Sequence, residues 1–306
     1  MKKSFIAICC LAAFLSQGCK EVPPVINFGS QKVTDTTYVV SPVPAAQAHN
    51  VLVEEFTGES CSNCPAAHDV LDAAAAANAG RVNVISLYQN LLAPIDLPPG
   101  GAHYDFRSDA AKTLSGSTIY TTNADANIGS LPGGGVDRVP ATSGTTTWLG
   151  SATWTGLITS RLSVADSLNL EVSSTVTAGV ATIIAKITYT QSVSTLQNLS
   201  IAVVEDSIVD FQEKPFGIVD TAYVFNDVFV GMVTPVPFGD PILDTMATKE
   251  AGRVVQRVYS YTVPTSFQKG SVYPAHCRVI AFLHTPSGYS PDFHVIQSQQ
   301  TKLMGP

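Results

Sequence analysis

Cys61-Ser62-Asn63-Cys64 is the segment of this 306-residue sequence best equipped for chemistry. Two thiols three positions apart can close a disulfide, act as a redox pair, or supply half of a zinc site, so the flanks must decide. Upstream, Val51-Leu52-Val53-Glu54-Glu55-Phe56 reads as a short buried strand, and Thr57-Gly58-Glu59-Ser60 as the turn leaving it. Downstream, Pro65 opens a segment with Ala67, Val70, Leu71, Ala74, Ala75 and Asn78 at three- and four-residue spacing, which predicts an amphipathic helix ending at Gly80. Val82–Tyr88 predicts a second strand. The cysteines thus fall where a strand feeds a helix N-terminus, whose partial positive charge and free N–H groups favour a thiolate. Cys61, nearer the N-terminus, is expected to be the more exposed and the nucleophile; Cys64, one turn in, is expected to be the resolving thiol.

His68 lies four residues after Cys64, so Cys61, Cys64 and His68 offer three ligands for zinc or copper. Structural zinc usually takes four. There is no second cysteine pair, and His103, His276, His284 and His294 are scattered. The expectation is therefore a helix-surface histidine, with no metal and no other cofactor. Cys277, ahead of the apolar run Val279–Leu283, reads as a buried structural thiol.

The elements that must hold these residues fall into two halves. At roughly 100–200 residues per domain, the length suggests two domains, placed at 50–163 and 164–306. Beyond a short helix carrying Trp154, Leu157, Ile158 and Leu162, the texture changes to alternating apolar and Thr/Ser residues. Strands are predicted at Leu168–Val172, Val180–Tyr189, Leu199–Val204, Val254–Val263 and Val279–Leu283, as in an all-β, immunoglobulin-like antiparallel sandwich. A membrane β-barrel would need lipid-facing strands of about ten residues throughout, which the helical first half does not supply. Charged residues are only 13% of the chain, and 17 Lys+Arg against 24 Asp+Glu give a net charge of −7. That deficit of cations argues against nucleic acid as a partner. No apolar run approaches the ~20 residues of a spanning helix.

The N-terminus runs from Met1-Lys2-Lys3 through the apolar stretch Phe5–Leu15 to Ser16-Gln17-Gly18-Cys19. This order of charged, apolar and small residues resembles a bacterial lipoprotein signal. It implies removal of residues 1–18 and acylation of Cys19, with the membrane as a partner through the lipid anchor. Residues 19–49, with Pro23-Pro24, Pro42 and Pro44, read as a tether. Val33–Val40, rich in Thr and Val, is the stretch there that could instead add an edge strand to a later domain.

A strand followed by Cys-x-x-Cys at a helix start resembles the thioredoxin-like superfamily, so the first domain is expected to be an α/β thioredoxin-like domain. Members carry an acidic residue six positions before the first cysteine, followed by Phe, and Glu55-Phe56 stand there. The resemblance implies that Glu55 is a buried carboxylate accepting the proton of Cys64. It also implies that Pro132, in Ser130-Leu131-Pro132 ahead of Gly133–Val139, is a cis-proline facing the cysteines and presenting substrate backbone. This chain departs from the pattern in lacking Trp before Cys61, in placing Glu54 beside Glu55, and in the long stretch from Asn90 to Asn127. That stretch holds the run Leu97-Pro98-Pro99-Gly100-Gly101 and a predicted helix from His103 to Leu114. It reads as a decorated surface, the alternative being a cap over the cysteines.

Over nearly the whole mature chain, Val51–Gly58 running into Cys61-x-x-Cys64-Pro65 resembles the outer membrane protein Omp-28 related family of lipoproteins. Tyr223-Val224-Phe225-Asn226-Asp227-Val228 and Phe238-Gly239 resemble its Tyr-x-His-Asn-His-Val stretch, with Phe225 and Asp227 in place of the histidines. The resemblance implies a lipid-anchored outer-membrane protein, facing the periplasm or the exterior, with a thioredoxin-like domain and a β-sandwich. The expected activity is thiol–disulfide exchange with a protein thiol or disulfide substrate, as a possible oxidoreductase. The alternative is a non-catalytic surface binding or adhesion module in which Cys61–Cys64 is a structural disulfide.

Overall fold

The computed structural model describes residues 35–78, 80–89, 92, 94, 101–121, 130–140, 147–288 and 292–305. The signal, Cys19 and the first part of the tether lie outside the described residues. In chain order the elements are β1 (Thr36–Val39), β2 (Val51–Thr57), α1 (Cys64–Ala77), β3 (Val82–Tyr88), α2 (Asp109–Ser115), α3 (Thr118–Thr121), β4 (Gly133–Val136) and β5 (Leu149–Gly150). There follow α4 (Trp154–Arg161), β6 (Leu168–Thr177), β7 (Val180–Tyr189), β8 (Asn198–Glu205), β9 (Ile208–Lys214), β10 (Ile218–Phe225), β11 (Val228–Met232), β12 (Asp240–Pro241), β13 (Arg253–Thr262), β14 (Cys277–His284) and β15 (Val295–Lys302).

β2 and β3 pair in parallel, Val51 opposite Val82 through Thr57 opposite Tyr88, and both are buried along their whole length. Burial on two faces explains why they read as near-continuous apolar runs rather than alternating ones. Val51, Val53, Val82 and Val84 pack with Ala67 and Leu71 of α1 and with Trp154 and Ile158 of α4. Leu52, Phe56, Ile85 and Leu87 point the other way, onto Ala111 and Leu114 of α2 and onto Ile119 and Tyr120 of α3. The 90–127 stretch, where described, therefore covers the sheet face opposite α1. β4 runs antiparallel to β2 and is Gly-Gly-Gly-Val for a steric reason: a Cβ at Gly134 would stand 2.0 Å from the Glu54 carbonyl oxygen.

Strands from both sides of residue 164 join one nine-stranded sheet, in the order β15-β14-β8-β11-β3-β2-β4-β5, with β12 paired to β8. The seam is β11, parallel to β3 at Val228 and Ser86 and antiparallel to β8. β8 serves two cores because its successive side chains point to opposite faces. Leu199, Ile201 and Val203 pack with Leu168, Leu170, Ile183, Ile187 and Val255, whereas Ala202 and Val204 join Leu52 and Phe56. The first group lies between this sheet and a four-stranded antiparallel sheet, β1-β13-β7-β6, so two sheets sandwich a core. The strands predicted at 168–172, 180–189, 199–204, 254–263 and 279–283 all form.

The tether reading of residues 19–49 is corrected over its described part. β1 pairs antiparallel with β13, Thr36 opposite Gln256 through Val39 opposite Arg253, realising the edge-strand alternative. His49 is fully buried: its Nε2 lies 2.7 Å from Asp137 and its Nδ1 2.9 Å from Asp166. No helix among the described residues is long and apolar enough to cross a membrane.

Candidate functional site

The turn from Gly58 to Asn63 is closed by Cys61 N–H donating to the Gly58 carbonyl at 3.0 Å and Cys64 N–H donating to the Cys61 carbonyl at 3.1 Å. It delivers both cysteines to the start of α1, and they are joined in a disulfide with their Cα atoms 5.3 Å apart. Pro65 sits in the first helical turn, where no intrahelical partner awaits its missing N–H. Cys61 is 2% and Cys64 0% exposed, which corrects the expectation of an exposed Cys61.

The cover is the β9–β10 hairpin, a two-stranded sheet of its own. Gln212 on β9 donates from Nε2 to the carbonyls of Cys61 at 3.1 Å and Gly58 at 3.4 Å, and Glu213 N–H donates to the Glu59 carbonyl at 2.8 Å. The base of the hairpin is held by Asp210, whose carboxylate accepts the backbone N–H groups of His103 and Tyr104 at 3.0 and 2.7 Å. Beneath it, the Glu59 carboxyl is buried and has no hydrogen-bond partner among the described residues. Burial, reinforced by the nearby Asp105 and Asp210, pushes its pKa up to about 8.

Glu55 projects from β2 on the α1 side and is buried. Ser86 Oγ donates to its Oε2 at 3.2 Å, while Oε1 accepts no hydrogen bond among the described residues. Burial holds the carboxyl well above the usual carboxylate range, and the charges of Asp227 and Asp72 add to that against the Ser86 hydrogen bond. Burial thus favours the protonated form of Glu55.

His68, one turn after Cys64 on α1, is not the surface histidine expected: its side chain is only 12% exposed. Nε2 lies 3.5 Å from Glu55 Oε1 and 3.0 Å from Thr57 Oγ1, and Nδ1 lies 2.7 Å from the Tyr223 hydroxyl on β10. Burial pushes its pKa down to about 4, so at neutral pH the ring is uncharged, with one donor and one acceptor nitrogen. Glu55, His68, Ser86, Tyr223, Asn226 and Asp227 line a polar cleft that holds about 20 Å³ of space for water, enough for one molecule. Among the described residues no group of three or more His, Cys, Asp or Glu side chains is arranged to hold a metal ion.

The Leu131–Pro132 peptide is cis, and Pro132 leads into β4, whose Gly133 lies opposite Phe56. Cys277 is buried and unpaired with another cysteine, its Sγ 3.4 Å from the Tyr273 carbonyl; burial pushes its pKa up to about 12. Sequence reasoning did not reach Gln212, which lies 151 residues from Cys61 and belongs to no motif. It singled out Tyr223 and Asp227 through a family likeness, with no indication that they border Glu55.

No family model matches the chain, and no curated protein matches it. Among solved structures it is similar to HBP35 of Porphyromonas gingivalis, with a TM-score of 0.62 at 14% identity over 85% of this chain and 77% of that one. It is also similar to protein AGR_C_4864 from Agrobacterium tumefaciens, with a TM-score of 0.47 at 13% identity over 85% of this chain and 96% of that one. The first likeness shows a shared β-rich fold of several sheets.

Proposed function

We propose that the chain is an outer-membrane lipoprotein, held by acylated Cys19, with a thioredoxin-like region fused through its sheet to an immunoglobulin-like sandwich. Its activity is thiol–disulfide exchange at Cys61 and Cys64. A thiolate of the protein substrate attacks Cys61 Sγ, the Cys61–Cys64 bond breaks, and Cys64 leaves with the electron pair and takes a proton from Glu55. A second substrate thiolate then releases Cys61, so the substrate dithiol becomes a disulfide and the cysteine pair gains two electrons and two protons. Pro132 presents the substrate backbone. The observation that carries this reading is the buried Glu55 carboxyl beneath the helix turn that follows Cys64, where burial favours the protonated form.

A second reading, a surface binding module with an inert disulfide, is favoured by the burial of both cysteines under the hairpin. The reduction potential of the Cys61–Cys64 pair, measured by alkylation and intact mass across glutathione buffers, separates the two. A potential above about −230 mV is expected for an exchange site, whereas a bond still closed below about −300 mV makes it a staple. Cys61→Ser abolishes exchange in the first case and leaves partner binding unchanged in the second.

A further inference from the structure

The route by which Glu55 regains its proton is the step that burial makes difficult. Once Glu55 has protonated Cys64 it is a buried carboxylate, without a hydrogen bond to Oε1 among the described residues. His68 lies beside it and lines the same cleft. One ring nitrogen stands 3.5 Å from that oxygen and the other hydrogen-bonds the Tyr223 hydroxyl at 2.7 Å. Both tautomers are accommodated, because Thr57 and Tyr223 each bring a hydroxyl that can donate or accept.

We propose that His68 is a positioning residue that passes protons between the cleft and the buried Glu55 carboxyl, with Tyr223 as its outer partner. This rests on the exchange reading above. A proton arrives at Nδ1 from the Tyr223 hydroxyl, which is refilled from water in the cleft, and the Nε2 proton goes to Glu55 Oε1. The ring returns to its first tautomer by the reverse sequence when the cysteines are reoxidised and Glu55 takes the Cys64 proton back. Neutrality of the ring suits this role, since an imidazolium fixed beside Glu55 would hold the carboxylate ionised.

The surroundings bear on the pH dependence. Asp69 and Asp72 on α1, Tyr88 on β3, Tyr223 on β10 and Asp227 before β11 face this region. Of the cations nearby, Arg278 on β14 is engaged by Asp206 at 2.6 Å and by Asp227, and Lys214 on β9, 5.7 Å from the centroid of the Tyr223 ring, is engaged by Asp220 at 2.6 Å. The field at the cleft is therefore acidic and draws protons inward, so the relay should work up to pH values well above the ordinary range of a carboxyl.

The test is stopped-flow reduction of the oxidised protein by dithiothreitol between pH 5 and 9. The reductant closes to its cyclic disulfide as Cys61 and Cys64 become thiols, so the step is balanced. His68→Gln keeps an amide that can hydrogen-bond Thr57 and Tyr223 but cannot carry a proton. It is expected to slow reduction about 10²-fold at neutral pH and to add no further loss in a Glu55→Gln background. His68→Ala is expected to be equally slow and to be restored by added imidazole in proportion to its concentration, which a purely structural role would not produce. His68→Gln at the wild-type rate, or a folded His68→Ala protein unresponsive to imidazole, overturns the relay and leaves exchange standing. A wild-type protein reduced no faster than oxidised glutathione removes the exchange reading itself, whatever the His68 variants do.

Discussion

Glu54 and Glu55 leave β2 on opposite faces of the sheet, because successive side chains of a strand alternate. Glu54 receives Arg138 through two hydrogen bonds, at 2.6 and 2.7 Å, and the Tyr120 hydroxyl at 2.6 Å, so its charge is neutralised within the core. Among the described residues Glu55 meets Ser86 and the edge of His68, and burial instead favours its protonated form. The acidic doublet, a departure from the thioredoxin-like pattern, is thus one buried ion pair and one buried carboxyl whose pKa burial raises. His49 supplies a pH prediction at the same scale. Burial works against its charge, but hydrogen bonds to Asp137 and Asp166 outweigh this and raise its pKa to about 9. A folded-state pKa raised above the unfolded value near 6.5 means that the contribution is complete below about pH 6.5 and lost as the pH rises through 9. Urea unfolding should show about 3 kcal/mol of stability lost across that window, and His49→Gln should flatten the slope.

At the scale of elements, the β9–β10 hairpin decides whether the disulfide can be reached. Its hold on the 58–61 turn includes the two Gln212 side-chain bonds and the Glu213 backbone bond. Single hydrogen bonds contribute roughly 1 kcal/mol each, so Gln212→Ala should raise the rate at which dithiothreitol reduces Cys61–Cys64 about tenfold or more. The far-ultraviolet circular dichroism should stay unchanged. An unchanged reduction rate would mean that the hairpin does not gate access. The strands flanking the cysteines and the helix between them were legible because burial, a proline at the helix start and regular apolar spacing are local signals. The hairpin was not, since its strands carry Asp, Gln, Glu and Lys among their apolar residues and its partner turn lies about 150 positions upstream.

Across the whole molecule, Val33–Pro306 clusters as one unit, and β11 sews strands from before and after residue 164 into a single sheet. The core that holds Leu52 and Phe56 also holds Ala202, Val204, Ile280 and Phe282. Cutting at 163/164 would expose that core and leave an edge of β3 unpaired. Residues 50–163 expressed alone are therefore expected to lack a cooperative unfolding transition, while the intact chain melts in a single one by calorimetry. Two separated transitions in the intact chain would show that the halves fold independently. What the sequence by itself determined was the local order: Cys-x-x-Cys at a strand-to-helix junction, the acidic residue six positions earlier, and the strand-rich second half. Each of these follows from residue type and short-range spacing. Tertiary structure alone decided that both cysteines are covered, that Glu55 meets His68 and His68 meets Tyr223, and that one sheet spans both halves. Those outcomes depend on contacts between segments as far as 155 residues apart, which no local periodicity encodes.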